Sequence, residues 1–383
     1  MKMSQPLVIV GTGLAGYTAA REWRKLERER PLVMVTRDDG AFYSKPMLSN
    51  ALAQEKTPET LVVKPATVMA ADLNADIRTR SEVSAIDPGA GTLTCDGEDI
   101  RYGDLVLATG AVPIHIPVDG DGGDDVIAVN NLGDYRRFRG LLDEAERVAI
   151  MGPGLIGCEF ANDLCSRGLG VDVFGPDAWP VSTLLPEPAG RALRDALEAA
   201  GIRFRLDTTA RRIDRHDGGY RIELQNGEIV EADLVLSAVG LRPDTRLAAA
   251  AGLTVGRGIV TDRLLRTSAP HVYALGDCAE VDGMNLPYVM PIMHSARALA
   301  KTLTGDPAPV RYPPMPVVIK TPALATVVSP PPRHAAGAWQ HAGSGPDIRS
   351  TFVSSSGELL GFALTGEAAA EKQALTKRLP AVL

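Results

Sequence analysis

Two glycine-rich segments of the same spacing constrain the fold most strongly. Residues 11–16 read Gly-Thr-Gly-Leu-Ala-Gly, and residues 152–157 read Gly-Pro-Gly-Leu-Ile-Gly. Each follows a short apolar run, at residues 7–10 or 148–151, and each precedes a helix-like run and a second apolar run. A glycine-rich turn between a strand and a helix, within about 30 residues that end in another strand, is typical of a dinucleotide-binding unit. The sequence therefore predicts an α/β chain with two nucleotide-binding folds.

The spacing of the glycines explains how each turn would hold a phosphate. The first glycine permits a tight bend, the second lets the backbone approach a pyrophosphate, and the third lets helix and strand pack closely. The pyrophosphate then meets unpaired N–H groups at the positive end of a helix dipole. We therefore expect one nucleotide at each turn. The candidate contacts are Gly11, Thr12, Gly13, Leu14, Ala15 and Gly16 in the first turn, and Gly152, Gly154, Leu155, Ile156 and Gly157 in the second.

Three further segments extend the pattern. Residues 104–113 and 233–243 are near repeats, each an apolar strand that ends in glycine and then proline, and we expect them to be paired closing strands of two similar halves. Residues 267–279 are predicted as a strand that ends in Gly276-Asp277 and is followed by helix-compatible sequence. The helices after the two turns are predicted over residues 17 to about 30 and 158 to about 167.

In this order, the segments resemble the FAD/NAD-linked pyridine-nucleotide oxidoreductase family over roughly residues 7–320. The resemblance implies an α/β fold with two Rossmann-like domains of the glutathione-reductase type, one for FAD and one for NAD, and a short α+β C-terminal domain. It implies an FAD-binding domain of residues 1–114 and 245–319, an NAD(P)H-binding domain of residues 115–244 and a C-terminal domain of residues 320–383. Residues 173–176 offer neither an acid for a ribose hydroxyl nor an arginine for a 2′-phosphate, and we expect NADH rather than NADPH.

The resemblance also implies further cofactor contacts. Asp277 matches the aspartate that the family places against the ribityl chain of FAD, and the backbone N–H of Val289 would face a carbonyl of the flavin ring. Thr36 stands where an acidic residue for the adenosine ribose is expected, and Asp38 is the nearest carboxylate, so we expect a changed ribose contact. The remaining candidate contacts are Val83, Thr109, Gly110 and Gly276 for FAD and Gly240 for NAD.

Composition and charge narrow the function classes. A length of 383 residues suits two or three domains. The formal net charge of −7 argues against nucleic acid and anionic membranes, which attract basic surfaces. The sequence contains no run of about 18 apolar residues, and residues 1–6 do not show the pattern of a signal peptide. We therefore expect a cytoplasmic protein that binds neither membrane nor nucleic acid.

The four cysteines bear on the route of the electrons. Cys95, Cys158, Cys165 and Cys278 show neither a C-x-x-C nor a C-x4-C spacing, which argues against a metal site and against a redox-active pair. Their low number fits a reducing compartment. Residues 42–49, where other members of the family carry a single reactive cysteine, read Phe-Tyr-Ser-Lys-Pro-Met-Leu-Ser. The resemblance then implies direct delivery of electrons, to a protein or to a small acceptor such as a quinone or oxygen.

Three side chains are candidates for the chemistry. Residues 43–49 resemble the Arg-Pro-x-Leu-Ser segment of flavin reductases that serve ferredoxins and rubredoxins, with Lys45 in place of the arginine, and a cation there can stabilise negative charge on a reduced flavin. Lys320 is the candidate near flavin N5; the alternative is a lysine at the core edge whose amine reaches solvent. Glu159 matches a glutamate between nicotinamide and flavin. It could pair with Lys45 or Lys320, or serve only the helix dipole.

The match to rubredoxin reductases is closest around Lys45 and Lys320 and implies rubredoxin, a small acidic iron protein, as the acceptor. Residues 281–383 carry nine basic and six acidic side chains, a net charge of +3 that could steer such a partner. Three alternatives remain open: a ferredoxin reductase, a diaphorase-like reductase of quinones or oxygen, and a non-enzymatic redox sensor that binds FAD and NADH. Only 63 residues follow Lys320, too few for the larger C-terminal domains that form dimers, so the sequence favours a monomer.

Overall fold

The computed structural model describes residues 5–383. Residues 1–4, which hold most of the segment predicted to lack a signal peptide and the start of the predicted FAD-binding domain, lie outside the described residues. The strands, labelled β1 to β27 in chain order, are Leu7–Val10, Leu32–Val35, Phe42–Tyr43, Val62–Lys64, Ala75–Arg78, Val83–Asp87, Thr92–Cys95, Glu98–Arg101, Asp104–Leu107, Ala111–Pro113, Ile127–Ala128, Arg147–Met151, Gly170–Phe174, Ile202–Arg205, Ala210–His216, Gly219–Leu224, Ile229–Ala232, Leu234–Ser237, Leu241–Pro243, Ile259–Thr261, Val272–Ala274, Ala279–Val281, Val317–Ile319, Thr326–Ser329, Gly337–Ser344, Asp347–Ser354 and Leu359–Thr365.

The helices are short to medium in length and connect these strands. Labelled α1 to α9 in chain order, they are Leu14–Arg24, Pro58–Leu61, Ala66–Leu73, Leu132–Leu142, Leu155–Cys165, Glu187–Ala199, Arg246–Ala250, Val289–Leu303 and Lys372–Thr376. A 3₁₀ helix at Lys45–Asn50 follows β3. Among the helices of residues 5–383, none is both long enough and apolar enough to span a membrane.

Five parallel strands form the sheet of the first lobe, in the order β21-β9-β1-β2-β5. All four residues of β1 are buried, as expected for a parallel strand that is covered on both faces. α1 connects β1 to β2 and packs against α8. This arrangement places the first glycine-rich turn at the carboxyl end of a central strand, where open α/β sheets bind their ligands.

The second lobe repeats the design with the sheet order β11-β18-β12-β13-β14. α5 connects β12 to β13, so the second glycine-rich turn lies at the equivalent carboxyl end. Each lobe also carries a three-stranded antiparallel sheet, β6-β7-β8 in the first and β15-β16-β17 in the second. The prediction of two Rossmann-like folds is therefore confirmed.

The two closing strands pair with each other, as the near repeat predicted. β10 and β19 run antiparallel, with Ala111 opposite Pro243 and Pro113 opposite Leu241. The N–H of Ile114 also donates to the carbonyl of Gly240 at 3.0 Å. This two-stranded ribbon joins the lobes beside the carboxyl ends of both parallel sheets.

The C-terminal residues form a five-stranded antiparallel sheet in the order β23-β24-β27-β26-β25, followed by α9. α6 of the second lobe packs against β26 and β27. Leu193 of α6 shares an apolar core with Val328 and Ala363 of the sheet. Because that core anchors the sheet, the end of β23 and the following residue, Lys320, take a fixed position against the second lobe.

Some boundaries differ from the predicted ones. α1 and α5 begin three residues earlier than expected because Gly13 and Gly154 are themselves the N-caps. α1 ends at Arg24, whose guanidinium donates to the carbonyls of Glu27 and Arg30 and holds that segment in a turn. The sequence after Gly276-Asp277 forms strand β22 and not a helix, because β20 offers it a parallel partner.

Candidate functional site

The first glycine-rich turn is crowded at two glycines and open at the third. Gly11 has a φ of +109°, and a Cβ there would overlap the carbonyl oxygen of Ala108. A Cβ on Gly16 would overlap the carbonyl oxygen of Gly11. At Gly13, by contrast, the Cβ position has no atom within 4 Å from described residues beyond its immediate chain neighbours. Gly13 therefore faces the space in which a pyrophosphate approaches the backbone.

The second turn has the same geometry. Gly152 has a φ of +103°, a Cβ on Gly157 would overlap the carbonyl oxygen of Gly152, and the Cβ position of Gly154 is open with respect to residues 5–383. No described side chain caps α1 or α5, and neither first turn carries an acidic residue. Free N–H groups at the positive end of a helix dipole fit an anion. The two turns thus fit the pyrophosphates of two dinucleotides.

A cavity of about 1690 Å³ extends from the first turn to the start of α5. It exceeds the roughly 300–1,000 Å³ of pockets for drug-sized ligands and has room for an extended cofactor. The predicted residues that line it are Gly11, Thr12, Gly13, Leu14, Ala15, Thr36, Lys45, Val83, Thr109, Gly110, Leu155, Ile156, Glu159, Asp277, Val289 and Lys320. The predicted residues outside its lining are Gly16, Gly152, Gly154, Gly157, Gly240 and Gly276.

Two of these outlying glycines shape the chain around the cavity. Gly276 has a φ of +82°, and its Cβ position lies 2.6 Å from the Cβ of Ala15, so the strand that delivers Asp277 passes close to α1. Gly240 has a φ of +112° in the turn between β18 and β19. Both glycines therefore act through the backbone path, whereas Asp277 and the start of α1 line the cavity itself.

The far end of β2 carries the carboxylate nearest the first turn. Thr36 Oγ1 donates to Asp38 Oδ1 at 2.7 Å, the N–H of Gly40 donates to the same oxygen at 2.9 Å, and Thr12 Oγ1 donates to it at 3.4 Å. Thr36 thus orients Asp38, which lines the cavity. At this side of the cavity, the carboxylate of Asp38 is therefore held in place by Thr36 and Gly40.

Lys45 lies deep in the cavity wall and is held by the second lobe. Its Nζ donates to Asn130 Oδ1 at 2.6 Å, and Asn130 Nδ2 donates to the carbonyl of Ala111 at 2.8 Å. Burial lowers the pKa of Lys45, while attraction by Asp277 and Asp134 opposes that decrease. Burial raises the pKa of Asp277, and the charge of Lys45 offsets part of that rise.

Glu159 pairs with Lys320 and not with Lys45. Lys320 Nζ donates to Glu159 Oε2 at 2.5 Å, and the N–H of Lys320 donates to Oε1 at 2.9 Å. Ser49 Oγ donates to Oε2 at 2.6 Å. Glu159 is 1% exposed, and an unpaired carboxylate at such a site would be costly. Glu159 of α5 thus contacts both Lys320, which follows β23 of the C-terminal sheet, and Ser49 of the 3₁₀ helix.

Three residues of this network were missed at the level of sequence: Ser49, Asn50 and Asn130. Ser49 and Asn50 end the 3₁₀ helix that begins with Lys45, and both are buried. The polar pair Ser49-Asn50 directly after the apolar pair Met47-Leu48 could have indicated a buried hydrogen-bond network, since buried polar side chains seldom lack a partner. Asn130 has no comparable signal, because its contact with Lys45 spans 85 positions of the chain.

Comparison with known proteins adds two family matches. Residues 5–300 match the model for the pyridine nucleotide-disulphide oxidoreductase family. Residues 309–379 match the model for a rubredoxin binding C-terminal domain. The second match covers β23 to β27 together with Lys320.

Individual relatives agree with these matches over the whole chain. The chain is 47% identical over 379 residues to a rubredoxin-NAD(+) reductase of Alcanivorax borkumensis, covering 99% of each. It is 44% identical to a rubredoxin-NAD(+) reductase of Acinetobacter baylyi, covering 98% of each. A crystal structure of the ferredoxin reductase for the CYP199A2 system of Rhodopseudomonas palustris has a TM-score of 0.87 at 27% identity, covering 96% of this chain and 93% of that one. The chain therefore belongs to the pyridine nucleotide-disulphide oxidoreductase family.

Proposed function

We infer that the chain is a flavoprotein oxidoreductase that passes electrons from NADH through FAD to rubredoxin. The observation that carries this function is the junction at Lys320. That residue belongs to the region matching the rubredoxin binding domain, and it lines the same cavity as the first dinucleotide turn. The cavity for the cofactor and the region that matches the rubredoxin binding domain thus meet at the side chain of Lys320. The two relatives that are 44–47% identical over nearly the full chain are both named for rubredoxin and NAD(+).

The first turn would hold the pyrophosphate of FAD, with Gly13 at the point of closest approach. Asp38 would meet the adenosine ribose, Asp277 the ribityl chain, and Val289 the flavin ring through its backbone N–H. Support for Asp38 is its fixed orientation by Thr36 and Thr12. Thr109 and Val83 line the same cavity and complete this set.

The second turn would hold NADH, with its nicotinamide directed toward Glu159. Leu155 and Ile156 start α5 and line the cavity, and Ile156 is 37% exposed, so this end is open to an incoming ligand. The glycines of the second turn lie outside the cavity lining, which fits a cofactor whose adenosine half extends over the surface of the second lobe.

The chain supplies fixed positive charge where electrons accumulate. FAD, when bound, accepts two electrons from NADH together and releases them singly to a one-electron iron centre. Lys45 and Lys320 would stabilise the extra negative charge because hydrogen bonds within the chain orient both ammonium groups. Glu159 holds Lys320 in place by accepting from both its Nζ and its main-chain N–H.

We further propose that the FAD-binding domain spans residues 1–114 and 245–319, the NADH-binding domain residues 115–244 and the C-terminal domain residues 320–383, in a monomer of the cytoplasm. The ribbon of β10 and β19 supports the boundaries near 114 and 244. All four cysteines are free thiols, which fits a reducing compartment. Light scattering behind a sizing column tests the monomer directly.

The function is tested anaerobically with the purified yellow protein. After reduction by NADH, it is mixed separately with rubredoxin, a 2Fe-2S ferredoxin and a quinone, and the reduction of each acceptor is followed by stopped-flow absorbance. We expect rubredoxin to be reduced fastest, with a rate that falls as salt rises. Preference for the quinone would exclude the protein partner, and preference for the ferredoxin would assign a different iron protein.

A further inference from the structure

Lys320 is held by three separate parts of the chain. It follows β23 of the C-terminal sheet, its ammonium meets Glu159 on α5 of the second lobe, and the 3₁₀ helix Lys45–Asn50 of the first lobe supplies further partners. The acceptors of Lys320 Nζ are the carbonyl of Pro46 at 2.6 Å, Ser49 Oγ at 3.1 Å, Asn50 Oδ1 at 2.8 Å and Glu159 Oε2 at 2.5 Å. Four acceptors surround a group with three N–H bonds.

Asn50 of the first lobe and Glu159 of the second each bind both the ammonium and the main chain of Lys320, whereas Pro46 and Ser49 contact the ammonium. Asn50 Oδ1 accepts from Nζ at 2.8 Å, and Asn50 Nδ2 donates to the main-chain carbonyl of Lys320 at 2.9 Å. Only one orientation of the amide satisfies both contacts, since the reverse would set donor against donor and acceptor against acceptor. Asn50 is 8% exposed, so water replaces these bonds poorly. The amide therefore helps to fix the distance between the Lys320 backbone and its ammonium from the side of the first lobe, as Glu159 does from the side of the second.

Replacing Asn50 by an apolar residue would remove no charged group from the site. The ammonium would keep Pro46, Ser49 and Glu159 as acceptors, one for each of its N–H bonds. What disappears is the tie between the first lobe and the backbone of the C-terminal sheet at this point. Asn50 thus controls where the charge lies, and small displacements of an oriented group carry large kinetic costs.

We propose that Asn50 is a positioning residue for the NADH-dependent reduction of FAD, acting through Lys320. The proposal rests on the proposed function, and it deepens that function by assigning the placement of one cation to a neutral amide from another lobe. It predicts that an Asn50 variant binds FAD as well as the wild type but places the stabilising charge incorrectly.

The test compares wild type, Asn50→Ala, Lys320→Ala and the double variant, each loaded with FAD. Anaerobic stopped-flow gives the rate of flavin reduction by NADH, and a reductive titration with a reference dye gives the midpoint potential of the bound flavin. We expect Asn50→Ala to slow flavin reduction by about ten- to a hundredfold. We also expect a lower potential, by about a tenfold change in the two-electron equilibrium, which is about 30 mV.

The double variant decides whether the two residues act as one unit. If Asn50 acts through Lys320, the double variant has the rate of Lys320→Ala, because the effects of coupled residues do not add. Independent, additive losses would overturn the proposal. So would a wild-type rate and potential in Asn50→Ala, or a loss confined to FAD content and unfolding free energy.

Two further variants guard against a folding defect and a surface effect. Asn50→Asp keeps the acceptor for Nζ but loses the donor to the Lys320 carbonyl, so the flavin of this variant should also be reduced slowly by NADH. A wild-type rate would contradict the role of the contact between Asn50 and the Lys320 carbonyl. Asn226→Ala, in an exposed turn, is the matched control and should leave both rate and potential unchanged. If the wild type itself binds no FAD or is not reduced by NADH, the proposed function fails, whereas failure of Asn50 alone leaves that function intact.

Discussion

Lys45 of the first lobe and Asn130 of the second are joined by a hydrogen bond of 2.6 Å between Nζ and Oδ1. The same amide donates to the carbonyl of Ala111 at 2.8 Å, so its orientation is fixed from the ribbon between the lobes. Lys45 and Lys320 are thus each held by an asparagine from a distant part of the chain. The two amides orient these cations without adding negative charge, and Lys320 is in addition paired with the carboxylate of Glu159.

Replacing Lys45 by Ala should lower the midpoint potential of the bound flavin by about 30 mV or more, since that corresponds to about 1.4 kcal/mol for two electrons. The reason is loss of a cation that stabilises negative charge in a water-poor site. Asn130→Ala should shift the potential in the same direction but less, because the charge remains. Reductive titration checks both variants. A potential unchanged in Lys45→Ala would remove this residue from the redox site.

Flavin reduction should also slow at alkaline pH. Burial lowers the pKa of Lys45 below the ordinary 10.5, so its charge is lost at a lower pH than that of a free lysine. The rate of reduction by NADH should be highest while Lys45 is protonated and should fall as pH rises through its pKa. In Lys45→Arg the guanidinium stays charged, and the alkaline decrease should disappear. Stopped-flow rates between pH 7 and pH 10 test this, and a parallel decrease in both proteins would assign the titration elsewhere.

Alanine at Gly13 should weaken FAD binding, whereas alanine at Gly16 should destabilise the fold. Gly13→Ala meets open space, so urea unfolding of the FAD-free protein should change by no more than about 0.5 kcal/mol, while FAD affinity falls because the Cβ meets the pyrophosphate. Gly16→Ala would overlap the carbonyl of Gly11 and should destabilise the fold itself. Gly154→Ala is the control for the second turn: it should weaken NADH binding and spare FAD. Equal FAD affinity in Gly13→Ala would contradict the assigned pyrophosphate position.

Protonation of Asp163 should stabilise the fold at mildly acidic pH. Its carboxylate accepts from the N–H groups of Leu52 and Ala53 at 3.0 and 2.8 Å, yet burial raises the pKa of Asp163 to about 6. The folded pKa lies above the unfolded value of about 3.9, so this contribution is present in full at low pH and is lost as pH rises through about 6, up to about 3 kcal/mol. Asn cannot titrate. The difference in unfolding free energy between wild type and Asp163→Asn should therefore decrease from pH 4 to pH 6 and then level off.

Rubredoxin reduction should depend on the exposed basic side chains of α8. Arg297 and Lys301 are exposed on a helix that begins at Val289, which lines the cavity, and no carboxylate of residues 5–383 lies within 4 Å of either. Arg297→Glu with Lys301→Glu should lower the rate with rubredoxin and weaken its salt dependence. Reduction of the flavin by NADH and of a small quinone serve as internal controls. A rubredoxin rate equal to that of the wild type would place the partner on another face.

The limits of sequence reasoning are visible at particular residues. Residues 158 onward were correctly predicted as helical, but the helix start needed the N-cap role of Gly154. The segment after Asp277 has helix-compatible composition, and only its pairing with β20 makes it a strand. Thr36, at which a changed ribose contact was predicted, donates its hydroxyl hydrogen to Asp38, and both residues line the cavity. The first and third cases depend on backbone and side-chain geometry within a few residues, and the second depends on a strand about 20 residues away.

The sequence by itself determined the two dinucleotide folds, the pairing of their closing strands and the oxidoreductase family. The two folds depend on glycine sterics and on the periodicity of apolar residues, which act within a few positions along the chain. The pairing of the closing strands followed from their near repeat, and the family followed from the resemblance of its motifs. Only the tertiary structure decided that Glu159 binds Lys320 and not Lys45, and that Asn50 and Asn130 hold the two lysines. Those contacts join residues up to 270 positions apart, and the packing of the two lobes and the C-terminal sheet, not any local preference, brings them within hydrogen-bonding distance.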